Sequence, residues 1–208
     1  MPPKGHALLG ASSAHRWLAC PPSARFEERV RERDGETTSE AAAEGTLAHA
    51  LVELKLKRLI EGKKAGKATL QIKNDPLYRP IMEDYTDEYI NYVMELLCQV
   101  QEDCKDAQLM SEIRVDFSDI VPDGFGTTDT VIIADNVIHV VDFKYGKHVK
   151  VNAKDNPQLR LYAWGAIRAF GALYDIKTVV THIVQPRIDH VDSESLLMWE
   201  LEDWAYDV

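Results

Sequence analysis

The sequence predicts an α/β or α+β class, and we favour α/β, with helices flanking a small central mixed β-sheet. Two observations predict it. Three stretches with apolar residues at helical spacing come first, and short Val- and Ile-rich stretches follow, with one more helical stretch between them. This order places a sheet with helices packed against it. The 208 residues suffice for one domain of good size, so we treat residues 1–208 as a single domain.

The first half of the chain predicts three helices. A serine pair precedes the short first helix, which stops before Pro21-Pro22, and residues 31–38 are predicted to form a polar loop. Gly62 ends the second helix, and a basic turn, GKKAGKA, follows it. The predicted helices cover residues 14–20, 39–61 and 76–104.

The second half predicts the sheet. In residues 108–117, odd positions are mostly apolar and even positions polar, which is typical of a half-buried strand with Glu112 on its polar face. A hairpin follows, and its tight turn lies at Asp135-Asn136. A basic loop over 146–155 leads to a helix that begins at Asn156-Pro157. The hairpin strands are predicted over 130–134 and 137–144, the last helix up to Gly171, and later strands over 176–185 and 195–201, before the start of one more helix.

Charged residues lie at the ends of the hairpin strands, where a buried hairpin would not carry them. Asp129 opens the first strand, and Asp142 and Lys144 close the second. Because side chains alternate along a strand, Asp142 and Lys144 point to one side and Phe143 to the other. Two carboxylates and an ammonium group suit a divalent metal and a charged substrate. The alternative is an ordinary ion pair at a strand end.

Two predicted helices add polar side chains. His49 lies inside the second helix, and Glu53 follows one turn later on the same side, where it can hold the imidazole. A histidine in such a place is more often a surface or core residue than a ligand. Gln158 and Tyr162 are four residues apart and share a face of the later helix.

Composition and charge exclude some functions. Hydrophobic residues make up 45% of the chain and charged residues 28%, as in ordinary globular proteins. No apolar run is long enough to span a membrane, and the N-terminus lacks the apolar core of a secretory signal, so we expect a cytoplasmic protein. The net charge of −10 argues against a non-specific nucleic-acid coat but not against a metal-dependent enzyme that acts on DNA.

Together these residues carry a resemblance to a known family. His49, Gly126-x-x-Asp129, Asp142-x-Lys144 and Gln158-x-x-x-Tyr162, with Cys20-Pro21 after a serine-started helix, resemble the RecB-like branch of the PD-(D/E)XK nuclease superfamily. Within it, the chain resembles a phage and prophage family related to CRISPR-associated RecB-like exonucleases. The resemblance covers about Ser12 to Arg187. One departure is Asp142, where the usual residue is glutamate.

The resemblance implies a fold and a chemistry. The fold would be a restriction-endonuclease-like core. Mg²⁺ or Mn²⁺ would be bound by His49, Asp129, Asp142 and the backbone carbonyl of Phe143, with Asp129, Asp142 and Lys144 as the catalytic residues. Gln158 and Tyr162 would orient the substrate strand. Glu112 would be a supporting group or a ligand of a second metal ion.

The expected function is therefore that of a divalent-metal-dependent DNA nuclease, an exonuclease, in phage recombination or DNA processing. DNA is the expected partner, with a phage single-strand-binding or annealing protein as another. DNA would enter beside the lysines that follow Lys144, because they can contact flanking phosphates; these lysines are Lys147, Lys150 and Lys154. The alternatives are an inactive nuclease-fold module that binds DNA or protein, and an unrelated α/β binding protein.

Two further expectations concern ligands and stability. We expect no iron–sulfur cluster, since four thiolates are needed and no cysteine follows Asp142 in the sequence. Either the chain is truncated before the cysteines that the cluster-bearing relatives carry, which we favour, or it is a natural variant that has dropped the cluster. Cys20 would then be a partly buried free thiol. Substitution of Asp142 or Lys144 is expected to leave folding nearly intact, because a strand end in an open cleft contributes little stability.

Overall fold

The structure of the protein is a computed structural model that describes residues 7–35, 38–62 and 67–208. In these ranges it forms seven α-helices, two short 3-10 helices and five strands. The helices are α1 (Ala14–Ala19), α2 (Pro22–Asp34), α3 (Glu40–Glu61), α4 (Lys67–Lys73), α5 (Ile81–Asp103), α6 (Pro157–Phe170) and α7 (Met198–Asp207). The strands are β1 (Gln108–Asp116), β2 (Phe125–Ala134), β3 (Val137–Phe143), β4 (Thr178–Gln185) and β5 (His190–Leu197).

The five strands form one mixed sheet in the order β1-β2-β3-β4-β5. The β3–β4 pair is parallel, and the other three pairs are antiparallel. A parallel pair needs a crossover connection, and α6 supplies it between β3 and β4. The predicted mixed sheet with flanking helices is therefore confirmed.

Helices cover both faces of the sheet, and each face has its own apolar core. One core joins α1, α6 and α7 to side chains such as Val131, Val140 and Ile183. The other joins α3 and α5 to the opposite face, through side chains such as Ile132 and Phe143. The sheet is thus the central layer between two layers of helices. Within the described ranges, no helix combines the length and apolarity that crossing a membrane requires.

Prolines help to explain two predicted boundaries that lie elsewhere in the structure. The first predicted helix does end before Pro21-Pro22, at Ala19, but Pro22 opens a further helix, α2, because proline lacks an N–H and fits the first helical position. For this reason α2 continues through much of the predicted loop, until Gly35 ends it with a φ of 79°. The third predicted helix begins at Ile81 and not near residue 76, since Pro80 precedes it. Residues 63–66 of the predicted basic turn lie outside the described residues.

The end of the chain also differs from the prediction in its boundaries. The last strand, β5, ends at Leu197, whereas the sequence placed a strand over 195–201. The side chain of Glu200 accepts a hydrogen bond of 2.7 Å from the backbone N–H of Leu197. This cap starts α7, the predicted final helix, three residues before the predicted strand would have ended.

A kink in β1 and β2 breaks the side-chain alternation that the sequence predicted. Glu112, in the middle of β1, has a φ of 53°, a conformation that is uncommon for residues other than glycine. The register pairs residues on both sides of it but not Glu112 with Asp129, which lies opposite. As a result, Leu109 packs with the α5 core, whereas Ile113 and Val115 pack with the α6 core. The prediction that all odd residues share one face was therefore wrong.

Candidate functional site

The site begins where β2 and β3 separate. Their pairing ends with Thr130 opposite Val141, and Asp129 comes next on β2. The Asp129 side chain fills the gap, and its Oδ2 accepts a hydrogen bond of 2.7 Å from the backbone N–H of Phe143. The other carboxylate oxygen, Oδ1, does not take part in this bond and can contact another group.

Helix α3 brings a histidine to that second oxygen. Its buried residues, including Ala48 and Val52, pack α3 against the sheet. His49 therefore reaches the site, and its Nδ1 lies 3.2 Å from Asp129 Oδ1. The imidazole also meets the Phe143 ring edge-on, with 5.2 Å between ring centroids. The 80 residues that separate His49 from Asp129 in sequence are thus bridged by helix–sheet packing.

The kink adds a second carboxylate. His49, Glu112 and Asp129 each offer one ligand atom, and these atoms lie within 4.8 Å of one another. We call these three residues the acid–histidine cluster. A non-glycine residue held at positive φ costs conformational energy, and such strain tends to occur at functional sites. The kink at Glu112 is what brings its carboxylate into the cluster.

The charges of this cluster favour a bound cation. The pKa of Glu112 is raised to about 7, first by burial and then by the nearby carboxylates of Asp129 and Glu53. Burial works to lower the pKa of His49, but Asp129 outweighs it and the net shift is upward. Carboxylate oxygens with one imidazole are donors that suit Mg²⁺ or Mn²⁺, and a cation relieves the repulsion between carboxylates. The residues present therefore fit such an ion.

Beside the cluster lies a buried ion pair, formed by Asp142 and Lys144. Lys144 Nζ is 2.9 Å from Asp142 Oδ2, and Asp142 is only 2% exposed. Gln158 bridges the pair: its Oε1 accepts from Lys144 Nζ at 3.0 Å, and its Nε2 donates to Asp142 Oδ1 at 3.1 Å. Asp142 Oδ2 accepts no well-directed hydrogen bond from the described residues, so this buried oxygen keeps ligand capacity towards a cation.

Burial of this ion pair changes its expected contribution to the unfolding free energy. It raises the pKa of Asp142, against the opposing effect of Lys144. For Lys144, burial lowers the pKa, but Asp142 outweighs it and the net shift is upward. Removing one partner of a buried pair leaves an unpaired charge, which costs about 3–5 kcal/mol of unfolding free energy. The open cleft on which the sequence-based expectation rested was therefore wrong, and we now expect Lys144→Ala, and to a lesser degree Asp142→Asn, to lower the unfolding free energy.

Comparison with known proteins gives a family. The family described as "Protein of unknown function (DUF2800)" matches residues 6–208. The chain belongs to the DUF2800 family. One solved structure, "Crystal structure of SSO0001", is similar to this DUF2800 chain at 13% sequence identity, over 87% of this chain and 83% of that chain, with a TM-score of 0.33. A similarity this distant indicates no function for the chain.

A buried tyrosine that no sequence pattern pointed to supports the site of this DUF2800 chain. Tyr89 is fully buried, and its hydroxyl donates to Thr130 Oγ1 at 2.8 Å and lies 3.1 Å from the carbonyl oxygen of Val141. Those two residues form the last β2–β3 pair before the strands separate. Tyr89 also packs on the Phe143 ring, with 5.0 Å between centroids. Its position in the apolar stripe of α5 gave no sign of this role.

The Tyr162 ring explains why residue 126, three residues before Asp129, is a glycine. A Cβ atom at Gly126 would lie 2.7 Å from Cε1 of the Tyr162 ring, too close for any side chain. The Tyr162 hydroxyl in turn accepts a hydrogen bond of 3.3 Å from Gln158 Nε2. The missing side chain thus lets α6 approach β2, which brings Gln158 to the ion pair.

The predicted DNA-binding lysines lie on a loop that one buried amide fixes. Lys147, Lys150 and Lys154 are all exposed. The side chain of Gln185, 1% exposed at the end of β4, donates to the carbonyls of Gly146 at 2.6 Å and Val149 at 2.8 Å. It also accepts from the backbone N–H of Val151 at 3.1 Å. The other predicted supporting residue, Glu53, is bound to Lys57 and acts on the acid–histidine cluster only through its charge.

Metal binding should stabilise the DUF2800 chain if the acid–histidine cluster is a metal site. We expect saturating Mn²⁺ or Mg²⁺ to add about 2.7 kcal/mol at a hundredfold excess over Kd, or roughly 5–10 °C in unfolding temperature. Glu112→Gln removes one ligand and should abolish most of this shift. Thermal unfolding with and without metal is the measurement. The matched control is Glu53→Gln, and equal shifts in both variants would contradict the assignment.

The cysteines are placed differently from the sequence expectation. Cys20 and Cys98 are exposed and Cys104 is partly buried, so the expected burial of Cys20 was wrong. Cys20 follows the last turn of α1 and Cys98 lies on α5, on separate elements. We predict that the purified protein is colourless and contains no stoichiometric iron by elemental analysis. A brown preparation that loses its iron in Cys20→Ser would contradict this.

Proposed function

We propose that this chain is a divalent-metal-dependent DNA nuclease of the RecB-like PD-(D/E)XK type. The observation that carries the proposal is the meeting of the acid–histidine cluster and the buried Asp142–Lys144 pair where β2 and β3 separate. A single ion pair at a strand end would not need a histidine from α3 and a strained glutamate from β1. The order of three antiparallel strands, a crossover helix and a parallel strand also supports a restriction-endonuclease-like core.

The cation would be held by His49, Asp129 and Glu112, with Asp142 Oδ2 and the Phe143 carbonyl as further donors beside them. A divalent ion at such a site lowers the pKa of water and stabilises charge on a phosphate. Asp129 is fixed for this task through its Oδ2, which the Phe143 N–H holds at 2.7 Å. Glu112, expected to be a supporting group or a ligand of a second metal ion, is here proposed as a ligand of the same ion as Asp129.

Lys144 would stabilise negative charge on the scissile phosphate. Its ammonium group is held by Asp142 and by Gln158 Oε1, and 24% of its side chain remains exposed for a substrate. Gln158 keeps the ammonium in place because it binds both members of the pair. A group held in advance at the site of developing charge costs little reorganisation during the reaction.

A cleavage assay tests this proposal. The purified protein is incubated with linear and circular DNA, single- and double-stranded, in Mg²⁺, Mn²⁺ or EDTA. We expect metal-dependent hydrolysis of linear forms only, as an exonuclease requires. Cleavage of circular forms would make it an endonuclease, and the absence of any hydrolysis would favour the alternative, an inactive nuclease-fold module that binds DNA or protein. A role in phage recombination, beside a single-strand-binding or annealing protein, is the corresponding biological proposal.

The loop over residues 146–155 leads to a separate prediction about DNA binding, and we call it the lysine loop. We expect the triple change of Lys147, Lys150 and Lys154 to alanine to weaken binding. It should also reduce the slope of log K against log salt by about 0.7–0.9 for each phosphate that a lysine no longer neutralises. Anisotropy titrations over a salt series in EDTA measure this slope.

The control removes Lys105 and Lys177. Both are exposed. The backbone N–H of Lys177 donates to Asn136 in the turn at the other end of β3, and Lys105 follows Cys104, which lines a cavity together with Asn136. Removing them should change the salt slope little. A slope that stays unchanged in the triple variant would show that DNA does not pass over the loop.

A further inference from the structure

A cavity lies beside the kink at Glu112, apart from the acid–histidine cluster. It is a cavity of about 400 Å³ between the N-terminal segment and the strands β1 and β2. Three arginines from three different elements line it, and we call it the arginine cavity: Arg16 of α1, Arg31 of α2 and Arg114 of β1. In a chain with a net charge of −10, three guanidinium groups around one cavity are a local excess of positive charge.

The ion pairs of these arginines leave charge unbalanced. Glu27 bridges two of them, with 3.0 Å to Arg16 Nη1 and 3.7 Å to Arg31 Nη2. No described carboxylate lies within ion-pair distance of Arg114, whose guanidinium lies 3.9 Å above the ring centre of Phe125. Among the described residues, Glu27 is thus the one carboxylate within ion-pair distance of any of the three guanidinium groups, while Asp116 affects Arg114 only at longer range. An anion in the cavity would supply the missing negative charge.

The other lining groups suit the oxygens of a phosphate. Ser12 and Thr127 place hydroxyl groups at the cavity, and Gly126 leaves its wall free of a side chain. Guanidinium groups bind phosphate through two parallel hydrogen bonds, and hydroxyl groups can donate to a remaining oxygen. This donor set, with no carboxylate among the described residues that line the cavity, fits a phosphate better than a neutral ligand.

The arginine cavity lies next to the proposed active site. Gly126 and Asp129 are three residues apart on β2, or about 10 Å along an extended strand. Tyr162 lines the cavity and also accepts the hydrogen bond from Gln158, which holds the Asp142–Lys144 pair. A nucleic-acid strand bound at the acid–histidine cluster would therefore bring a neighbouring phosphate to the cavity.

We propose that the arginine cavity binds a phosphate group of the DNA strand whose scissile bond lies at the acid–histidine cluster. The inference rests on the proposed function and adds to it a substrate subsite. The bound group is either the terminal phosphate of a strand end or an internal phosphate of the backbone. The chemistry is shared between the two, and oligonucleotides with different ends distinguish them.

The test measures binding in EDTA, where metal-dependent cleavage cannot interfere. One single-stranded oligonucleotide sequence, labelled internally, is prepared with a 5′-phosphate, with a 3′-phosphate or with neither. We expect Arg114→Gln to weaken binding roughly tenfold. An effect restricted to one phosphorylated end identifies a terminal phosphate, and an equal effect on all three identifies an internal one.

Two further variants provide an independent test of the cavity and a control outside it. Arg16→Gln removes a guanidinium from another element and should have the same effect, even if Arg114→Gln folds poorly. Arg25→Gln is the matched control on α2, since Arg25 is 71% exposed, pairs with Glu28 and does not line the cavity. The proposal is overturned if folded Arg114→Gln and Arg16→Gln bind all three oligonucleotides as tightly as the Arg25→Gln control.

The result can be separated from the nuclease assay. If the native protein cleaves DNA but binding does not depend on these arginines, the subsite is wrong and the nuclease assignment stands. If binding depends on them but no metal-dependent cleavage occurs, the nuclease assignment is wrong and the phosphate subsite stands.

Discussion

Asp142→Asn is expected to lower the rate of metal-dependent DNA cleavage by about 100-fold or more. The substitution keeps the size of the side chain but removes the negative charge that holds Lys144 and faces the metal ligands. Loss of one preorganised charge-stabilising group costs about 2.7–4 kcal/mol of activation free energy in comparable sites. Single-turnover cleavage of linear DNA, compared with the native protein under identical metal concentrations, measures the loss.

A matched control lies in the same hairpin. Asp135→Asn makes the same chemical change in the exposed turn between β2 and β3, where a φ of 36° is tolerated by asparagine. It should cleave at the native rate. Cleavage by Asp142→Asn within a few fold of this control would rule out a catalytic role for Asp142. Each of Asp142→Asn and Lys144→Ala leaves one charge of the pair without its partner, so the cleavage rate is compared only for protein that thermal unfolding shows to be folded. Lys144→Ala is the less informative of the two, because the carboxylate that it leaves is more deeply buried than the ammonium group.

Acid should destabilise the folded protein through a histidine pair outside the proposed active site, in which His182 is buried and His139 is half-buried. His139 Nδ1 lies 3.1 Å from His182 Nε2, and His182 Nδ1 lies 2.9 Å from the hydroxyl of Tyr92 on α5. Burial lowers the pKa of His139 to about 4. Burial, with a further effect of His139, lowers the pKa of His182 to about 3. Both rings are therefore neutral in the folded protein near pH 5.

The sign of the effect follows from proton uptake. In the unfolded chain both histidines bind protons below a pKa of about 6.5, so acid favours unfolding. Stability is fully present above pH 6.5 and falls as the pH drops towards 4. The two groups together should lower the unfolding free energy by about 3–4 kcal/mol between pH 8 and pH 5. Urea denaturation at several pH values measures this loss.

A variant isolates the contribution of one ring. His182→Leu with Tyr92→Phe removes the buried imidazole and the hydroxyl that it would leave unpaired, and should reduce the loss at pH 5 by about 2 kcal/mol. His148→Leu is the control, because His148 is exposed on the lysine loop. If the double variant loses stability with acid as steeply as the control does, the pair is not responsible.

Local patterns in the sequence predicted most of the fold. Hydrophobic spacing indicated α3, α5 and α6, and the hairpin with its Asp-Asn turn was confirmed at the predicted place. Strand alternation put Asp142 and Lys144 on one side, which their distance of 2.9 Å confirms. The meeting of His49 and Asp129 could not be predicted from spacing, since it depends on how α3 packs on the sheet. Only the family resemblance suggested it.

Other features of the site had no local signal. A glutamate with positive φ looks like any other glutamate in an alternating strand, so the pattern placed Glu112 on the polar face and did not show that it meets His49 and Asp129. Tyr89 lies in the apolar stripe of α5. A tyrosine that only packs in the core and one whose hydroxyl also makes hydrogen bonds occur at the same helical spacing, so the pattern does not distinguish them. Gln185, a polar residue among apolar ones at a strand end, was the one visible anomaly. In each case the role comes from long-range contacts.

The kink has a consequence for the motions of the sheet. Glu112 and Asp129 are opposite each other but do not pair, and β2 and β3 separate at the same level. Amide hydrogen exchange there should therefore proceed by small local openings, while the flanking rows of β1, β2 and β3 exchange only by larger unfolding. The level of the sheet that opens most easily is then the one at which Glu112 and Asp129 lie. Ligand binding at this level would slow its exchange without any change in the overall fold.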